Sequence, residues 1–373
     1  MLDNIKNSKR IVFKFGTNVL RDDLGDMAYD RIENFILDIA NLSKDDKEII
    51  IVTSGAVGLG AKKLGLDKKE RSLVERQACA SVGQPYIMRM WEKGFQKYGI
   101  GVAQILLTEE DFSDRKRYLS LRNTLFELLE HKIIPIINQN DVVCTSELEH
   151  IFSDNDKLSA LVASKLDADL LIIVSDIDGL FDKNPKEYDD AKLINVVEDL
   201  TPDIEELASG ASKGGTGGMI TKLEGAKVVV NSGASAIIMN GKREGIIGKI
   251  FLGKCDTCTL FLPKKNLSGK KRWIAYATST KGEIKINDGA KEALVQGQKS
   301  LLPVGVINVS GDFISGDVIC IKDEKNLEIA KGIVNYSSSD IKKIMGIRSD
   351  KIEQILGLNK SDDIISKDNL VLL

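Results

Sequence analysis

The chain has 373 residues, 43% of them hydrophobic, and a formal net charge of -3 at pH 7. This length and apolar content suit one or two globular domains, and the near-neutral charge excludes a polycation that binds nucleic acid along its whole length. The apolar runs are far too short to cross a bilayer, and the first residues carry no apolar signal region. We therefore predict no membrane partner and a cytoplasmic location.

Up to about residue 240, short apolar runs alternate with segments of helical periodicity. The predicted strands cover residues 11–15, 48–53, 102–107, 133–137, 170–174 and 236–239. Apolar residues spaced three or four apart predict helices over residues 32–42, 118–128 and 158–166. Apolar strands that alternate with helices predict an α/β fold, a three-layer α/β/α sandwich around a mostly parallel sheet. Ligands of such folds bind outside the carboxyl ends of the strands, so the candidate site residues are expected there.

The first predicted strand contains a lysine, Lys14, and is followed at once by Gly-Thr-Asn. A lysine inside an apolar strand is costly to bury unless its charge has a partner. Either the strand lies at an edge with Lys14 in solvent, or Lys14 faces a phosphate, and the Gly-Thr that follows favours the phosphate. The second strand runs into the small residues 54–58, which could bind an anion through backbone N–H groups or form only a tight turn.

Polar stretches follow the later strands. Residues 138–141, Asn-Gln-Asn-Asp, come straight off one strand, and residues 153–156, Ser-Asp-Asn-Asp, open the helix over 158–166. One residue of the second stretch could simply cap that helix, which leaves the other polar residues to be explained. One aspartate could orient a catalytic lysine and another could hold a substrate ammonium. The turn at 175–181, with apolar residues beyond it, suits a flat base or ribose.

Residues 212–218 combine four glycines with a threonine and lead into a helical pattern over 219–231, which Gly233 can close. Glycines let backbone N–H groups approach an anion, and a helix N-terminus adds a favourable dipole. Lys222 can reach back over this loop because helical side chains lean toward the N-terminus. An ordinary surface loop is the alternative, but the spacing of Lys222 favours a polyphosphate site. The P-loop pattern and the strand–G-x-G-x-x-G–helix unit do not occur in the sequence.

Residues 264–272 are rich in lysine, include Gly269, and interrupt the alternation of strands and helices. Beyond them, short β-like runs between turn residues predict a small β-barrel-like domain. We therefore predict a first domain over residues 1–268, a linker over 269–280, a second domain over 281–360 and a tail over 361–373. Residues 255–258 form a C-x-x-C pattern with no second pair and no nearby histidine, which predicts reduced structural thiols.

In this order, and each at a strand end or helix start, these motifs resemble the amino acid kinase family over nearly the whole chain. The stretches that carry the resemblance are residues 14–17, 52–58, 138–141, 154–160 and 215–222. The C-terminal part is similar to a PUA domain, with markers at residues 288–290, 300–306 and 316–317. The resemblance implies transfer of the γ-phosphoryl group of ATP, with Mg2+, to the side-chain carboxylate of L-glutamate. That reaction would be the first step of proline biosynthesis.

The resemblance also implies roles for single residues. The catalytic group would be Lys14, Asp156 and Lys222, with Asp156 orienting the two lysines. Glutamate would bind to Ser54, Asp141 and Asn155. ATP would bind to Lys14, Ser175, Asp176, Thr216, Gly217, Gly218, Met219, Ile220, Thr221 and Lys222. The protein ligands of Mg2+ stay unassigned. Gln139 stands where the family usually has Glu, a change that could alter the response to an inhibitor.

Two alternatives stay open from the residues alone. The same fold could phosphorylate N-acetylglutamate, aspartate, carbamate or a nucleotide monophosphate, although Asp141 with Asn155 favours a free α-amino acid. The C-terminal domain could lead an RNA-binding protein, but from residue 275 onward acidic residues slightly outnumber basic ones, so RNA is not an expected partner. The resemblance further implies a homodimer or homotetramer, feedback inhibition by L-proline, and handover of the product to glutamyl-phosphate reductase.

Overall fold

The computed structural model describes residues 2–66, 71–143, 155–185, 187–209, 218–253, 257–264, 274, 280–296, 299–357 and 361–372. The chain divides into two compact units, Met1–Asn266 and Leu267–Leu373. Most of the stretch predicted as a linker, 269–280, lies outside the described residues. In the described part of the chain, no helix has the length and apolar character needed to cross a membrane.

The first unit is built on one sheet. Its strands are β1 (Arg10–Phe15), β2 (Glu48–Val52), β3 (Val102–Leu107), β4 (Ile134–Gln139), β5 (Leu170–Ser175), β6 (Val196–Val197), β7 (Ser235–Asn240) and β8 (Cys258–Phe261). The strand order is β3-β4-β2-β1-β5-β7-β8-β6, and neighbouring strands are parallel except for the antiparallel pair β7 and β8. The six predicted strands are confirmed within two residues, and so is the mostly parallel sheet.

Helices cover both faces of this sheet. They are α1 (Leu2–Asn7), α2 (Thr17–Leu20), α3 (Tyr29–Lys44), α4 (Ala56–Lys63), α5 (Leu73–Gln96), α6 (Glu110–Ser113), α7 (Arg115–Glu130), α8 (Asn155–Lys165), α9 (Pro202–Ser209), α10 (Met219–Asn231) and α11 (Ile246–Phe251). The predicted helix over 219–231 is confirmed with the same bounds, and Gly233 follows it with a positive φ of 87°. A 24-residue helix, α5, is absent from the prediction because Gly83 and Pro85 interrupt its helical pattern.

The alternation of side chains along β1 decides which face its lysine occupies. Phe13 and Phe15 belong to the core cluster that also contains Phe35 of α3 and Trp91 of α5. Since successive side chains of a strand point to opposite faces, Lys14 lies on the other face of the sheet. That face is covered by α8 and α10, and the predicted three-layer sandwich is therefore confirmed.

The second unit has its own sheet and core. Its strands are β9 (Gly282–Ile286), β10 (Val306–Gly311), β11 (Val318–Lys322), β12 (Glu328–Ile333) and β13 (Leu370–Leu372), in the order β10-β9-β11-β12-β13. Only β9 and β11 pair in parallel among these described strands. Its helices are α12 (Asp288–Val295), α13 (Ser338–Ile344) and α14 (Ile352–Leu356). Apolar side chains such as Ile284, Ile321 and Tyr336 form a separate buried core. The second small β-rich domain is thus confirmed.

One expectation for the cysteines is wrong. Cys258, the first residue of β8, is buried and disulfide-bonded. The prediction of reduced thiols in the C-x-x-C pattern therefore fails at this position. Cys255 lies outside the described residues.

Candidate active site

Three charged side chains meet where the central strands end. Lys14 Nζ lies 2.5 Å from Asp156 Oδ1, and Lys222 Nζ lies 3.0 Å from Asp156 Oδ2. The residues come from β1, the first turn of α8 and the first turn of α10. Asp156 is fully buried, and Lys14 and Lys222 are only 4% and 6% exposed. The structure therefore brings together the three residues that the sequence nominates as a catalytic group.

Asp156 is held in its ionised form although it is buried. Burial alone would raise the pKa of its carboxyl, but the ammonium groups of Lys14 and Lys222 outweigh burial and hold the pKa below its ordinary value. Two ammonium groups share one carboxylate, so the three side chains together carry one net positive charge. Water screens a charge poorly in a buried place, so such an excess attracts an anion strongly. This cluster is suited to a transferring phosphoryl group.

Close packing of α8 against α10 sets the distance between Asp156 and Lys222. A Cβ at Gly225 of α10 would lie 3.3 Å from the carbonyl oxygen of Asp156 and 3.6 Å from Ala160 Cβ. Lys222 and Gly225 are three residues apart and so lie on the same side of their helix. Thr221 Oγ1 also donates a hydrogen bond to Asp156 Oδ2 at 3.2 Å. The carboxylate is thereby fixed by contacts from α10 as well as from β1.

A chain of amide side chains leads from α5 to the end of β2. Asn155 Nδ2 donates to Thr53 O at 2.7 Å, to Ser54 Oγ at 2.8 Å and to Asn138 Oδ1 at 3.1 Å. Asn138 Nδ2 in turn donates to Gln84 Oε1 at 2.8 Å. Asn138 and Gln84 are both buried. These bonds place Ser54 and Asn155, two of the three predicted acceptor-binding residues, side by side.

The two helices beside the end of β2 cross very closely. A Cβ at Gly60 of α4 would lie 1.8 Å from the carbonyl oxygen of Cys79, and a Cβ at Gly83 of α5 would lie 1.9 Å from that of Ala56. A side chain therefore cannot be accommodated at either contact without moving a backbone. This crossing holds α5 and its Gln84 against the turn that begins α4.

Asp141, the third predicted acceptor-binding residue, begins the short 3-10 helix Asp141–Val143 directly after β4. Burial raises the pKa of its carboxyl, and the guanidinium of Arg76 on α5 opposes that effect. A partly desolvated carboxylate of this kind is stabilised by a cationic partner. Because β4 and β2 are parallel neighbours, Asp141 lies on the same edge of the sheet as Ser54.

Ser175 and Asp176 end the strand on the other side of β1. Ser175 Oγ donates to Asp176 Oδ1 at 3.3 Å, and Asn18 Nδ2 donates to Asp176 Oδ2 at 2.9 Å. Burial alone would raise the pKa of Asp176, but hydrogen bonds led by that of Asn18 lower it, and the charge of Lys222 acts in the same direction. The predicted nucleotide-binding residues at this strand end are thus close to the lysine cluster.

The predicted nucleotide-binding loop is only partly described. Thr216 and Gly217 lie outside the described residues. Gly218 is the N-cap residue of α10, with a φ of -76°, and Met219 and Ile220 belong to its first turn. The first turn of a helix presents backbone N–H groups that can bind an anion. That turn also carries the lysine of the buried cluster, so a bound phosphate would meet both.

The described residues offer few protein ligands for a divalent ion. Within the described ranges, no group of three or more His, Cys, Asp or Glu side chains is placed to hold a metal ion. Mg2+ usually keeps several waters and binds one or two carboxylates together with substrate phosphates. Among the described residues, the donors at this edge fit an ion that arrives with a nucleotide and form no cage of their own.

Three amide side chains belong to this site without a predicted role. Asn18 follows the end of β1 and Asn138 is the penultimate residue of β4, and both lie in the motifs already noted, so their position along the chain was a usable signal. Gln84 lies in the middle of α5, and only the folded arrangement connects it to the acceptor end.

Curated relatives match almost the entire chain. The sequence is 47% identical over 366 residues to a glutamate 5-kinase of Caldanaerobacter subterraneus subsp. tengcongensis, covering 98% of both chains. It is 45% identical over 378 residues to a glutamate 5-kinase of Methanosarcina barkeri, covering 99% of this chain and 98% of that one.

A solved structure and two family models match parts of the chain. The carbamate kinase from Giardia lamblia bound to AMP-PNP is similar in fold, with a TM-score of 0.50 and 16% identity over 69% of this chain and 100% of that one. Residues 282–356 match the model of the PUA domain. Residues 9–240 match the model of the amino acid kinase family. The chain therefore belongs to the amino acid kinase family and carries a PUA domain in its second unit.

Proposed function

We propose that this protein transfers the γ-phosphoryl group of ATP to the side-chain carboxylate of L-glutamate. The product would be L-glutamyl 5-phosphate, the first intermediate on the route to proline. The relatives named above carry the name glutamate 5-kinase at 45–47% identity over nearly the full chain. The structural observation that carries the proposal is the buried carboxylate of Asp156 shared by Lys14 and Lys222.

The chemistry fits a site without a general base. The side-chain carboxyl of glutamate has an ordinary pKa of about 4.3, so it is already a carboxylate at neutral pH. One of its oxygens forms a bond to the γ-phosphorus, the bond from that phosphorus to the bridging oxygen breaks, and the electron pair leaves with ADP. No proton has to move. The barrier lies in bringing an anion to a polyanion, which positioning and electrostatic stabilisation lower.

The lysine cluster supplies that stabilisation in this proposal. Lys14 and Lys222 reach the site from a strand and a helix, so they can contact the transferring group from different directions. Asp156 keeps the two ammonium groups apart and aimed, because each is bonded to a different oxygen of its carboxylate. Mg2+ bound to the phosphates of ATP would neutralise further negative charge.

The acceptor would lie toward β2 and β4. Ser54 and Asn155 are fixed beside each other by hydrogen bonds, which suits recognition of a small polar molecule. Asp141 would pair with the α-ammonium of the amino acid, and the burial that raises its pKa is offset by such a partner. An N-acylated acceptor has no ammonium for this pair, which favours a free amino acid.

The nucleotide would lie on the β5 side of the lysine cluster. Ser175 ends β5 and Asp176 follows it, with its carboxylate held by a hydrogen bond from Asn18. Gly218 and the first turn of α10 would bind the phosphates through backbone N–H groups. Thr216 and Gly217 are included in this site by the family resemblance.

Further proposals rest on the same resemblance. We propose a homodimer or homotetramer that acts in the cytoplasm and is inhibited by L-proline. An acyl phosphate is labile to water, which supports direct handover of the product to glutamyl-phosphate reductase. Gln139, which is less negative than Glu, is the position where the response to proline could differ from that of relatives.

An acceptor screen tests the proposed function. The protein is incubated with Mg-ATP, hydroxylamine and one acceptor, because hydroxylamine traps an acyl phosphate as a stable hydroxamate. L-glutamate should give hydroxamate at a rate well above N-acetyl-L-glutamate and L-aspartate. A preference for either of those acceptors, or ATP consumption without any hydroxamate, would overturn the proposal.

A further inference from the structure

Beside the acceptor end of the site, a guanidinium group covers the start of α4. Arg21 follows α2, and its Nη2 donates to the carbonyl oxygen of Gly55 at 3.3 Å. A Cβ at Gly58 would lie 2.4 Å from Nη2 and 2.6 Å from Nη1, so glycine leaves the space that this group fills. Arg31 Nη1 donates to the carbonyl oxygens of Val19 and Arg21 at 2.9 and 3.2 Å. The backbone that carries Arg21 is therefore held in place.

Arg71, which lies just before α5, carries a second guanidinium whose charge acts on Arg21. Arg71 Nη2 donates to Leu66 O at 2.8 Å, but its Nε is buried and has no hydrogen-bond partner among the described residues. Burial and then the charge of Arg71 lower the pKa of Arg21, while Asp26 opposes them from a distance. The carboxylate of Asp26 is itself bound to Lys62 Nζ at 2.6 Å. In the described part of the chain, no carboxylate lies within ion-pair distance of Arg21 or Arg71.

Two half-buried cations whose charges act on each other are costly unless an anion joins them. Each loses water on burial, and each repels the other. A guanidinium presents a planar fork of N–H donors that matches the two oxygens of a carboxylate. The buried Nε of Arg71 has no acceptor among the described residues, so the positive charge of Arg71 is not offset by a hydrogen bond at this atom. The pair is thus suited to a carboxylate.

The position of Arg21 relates it to the acceptor and to the lysine cluster. Gly55, whose carbonyl accepts from Arg21, directly follows Ser54, the predicted acceptor-binding residue just beyond the end of β2. A Cβ at Gly55 would lie 3.7 Å from Thr17 Cγ2, and a Cβ at Gly16 would lie 3.8 Å from Lys14 Nζ. A series of neighbouring contacts therefore connects the ammonium of Lys14, through Gly16, Thr17 and Gly55, with the guanidinium of Arg21. An amino acid whose side-chain carboxylate lies at the lysine end would extend its other carboxylate toward the arginine end.

We propose that Arg21, supported by Arg71, binds the α-carboxylate of the acceptor and selects acceptors that carry this group. This inference rests on the proposed phosphorylation of glutamate. It assigns Arg21 and Arg71, which are not among the predicted site residues, to the acceptor end of the site. Arg21 would contact the substrate, whereas Arg71 would contribute charge and orientation.

The test compares L-glutamate with 4-aminobutanoate, which has the same reacting carboxylate and amine but lacks the α-carboxylate. Hydroxamate formation is measured with both acceptors for the wild type, Arg21→Gln, Arg21→Lys and Arg71→Gln. Lys63→Gln is the matched control, because Lys63 lies on α4 and contacts the ring of Tyr86. We expect Arg21→Gln to raise KM for glutamate about 10- to 100-fold with kcat little changed. The kcat/KM for 4-aminobutanoate should stay as in the wild type, so the preference for glutamate falls by the same factor.

The remaining variants separate the charge of Arg21 from its shape and from the contribution of Arg71. Arg21→Lys, which keeps the charge, should recover part of the preference, and Arg71→Gln should lose less of it than Arg21→Gln. Equal losses with both acceptors would reveal a merely structural role and overturn the inference. The inference would also be overturned if Arg21→Gln kept the wild-type preference for glutamate over 4-aminobutanoate but was inhibited less by inorganic phosphate. That result would identify a site for a free anion. A wild type that makes no hydroxamate from glutamate would instead refute the proposed function together with this inference.

Discussion

Asp156 and Asp323 are both buried aspartates bound to lysine, and their surroundings differ. Asp323, in the second unit, lies between β11 and β12, where its Oδ1 accepts from the backbone N–H groups of Lys325 and Leu327 at 2.9 Å each. Its Oδ2 accepts from Lys291 at 2.7 Å, a lysine whose side chain is 40% exposed. Asp323 thus closes a turn and pairs with one cation. Asp156 sits between two buried lysines and leaves an excess of positive charge.

The difference separates a charge that supports the fold from one that prepares a site. Around Asp323, backbone donors and a single flexible lysine at the surface neutralise the carboxylate locally. Around Asp156, two cations are kept at fixed positions at the end of a sheet, where a ligand can approach. Burial by itself would not distinguish the two residues, since both are less than 2% exposed. The number of lysine partners and their exposure distinguish Asp156 from Asp323.

The largest expected effect comes from Asp156→Asn. The change leaves two buried ammonium groups facing each other, so we expect a loss of about 3–5 kcal/mol in the free energy of unfolding as well as loss of turnover. Asp323→Asn is the matched change in the second unit, where the exposed lysine can turn to solvent. We expect a smaller loss of stability and normal turnover. Urea denaturation and the hydroxamate assay measure both; equal destabilisation by the two changes would contradict the comparison.

Lys222→Ala should affect catalysis and leave the fold intact. One lysine still neutralises Asp156, so the circular dichroism spectrum should stay that of the wild type. The loss of a cation at the transferring group should lower kcat by about a thousandfold or more. Lys14→Ala is expected to behave alike.

The control for that change is Lys227→Ala on the same helix. Lys227 is exposed and pairs with Glu205 at 2.5 Å on the surface. Its removal should leave kcat within about twofold of the wild type, as surface ion pairs contribute little. Near-normal turnover of both Lys222→Ala and Lys14→Ala would refute the assignment of the cluster.

A smaller effect is expected for Asp141→Asn. The substituted side chain keeps its size but loses the charge that we pair with the α-ammonium of glutamate. We expect KM for glutamate to rise about tenfold and KM for ATP to stay unchanged. If only the ATP constant moved in steady-state kinetics, Asp141 would belong to the nucleotide end of the site.

The smallest effect concerns pH. The lysines lower the pKa of Asp156 in the folded state, so its contribution to stability is present above the unfolded pKa of about 3.9 and is lost as pH falls through the folded value. The difference in unfolding free energy between wild type and Asp156→Asn should therefore stay constant from pH 7 to pH 5. It should narrow only below about pH 4. A difference that already shrinks near pH 6 would mean that burial, and not the lysines, controls this carboxyl.

Much of the first unit could be predicted because the residue types and spacings in each segment match the positions that these residues occupy in the fold. Lys14 in an apolar strand indicated a buried charge with a partner, and the four-residue spacing from Gly218 to Lys222 indicated a lysine over a glycine-rich loop. The apolar runs predicted the central strands because parallel strands buried on both faces have few polar positions.

The remaining features depend on contacts between distant segments. Helix α5 escaped prediction because Gly83 and Pro85 are poor helix formers, yet Gly83 is required where two backbones touch. The contacts of Gln84, Arg21 and Arg71 form only when α4 and α5 pack beside the strand ends. The spacing of residues along the chain does not predict such contacts.

The contact between α4 and α5 has a mechanical consequence. With no side chain between Gly60 and the backbone of α5, or between Gly83 and that of α4, the two helices are in direct backbone contact and cannot easily slide past each other. Ser54 lies just before α4, and Gln84 lies on α5. A displacement of either helix would therefore move the other one and shift the residues around the bound amino acid.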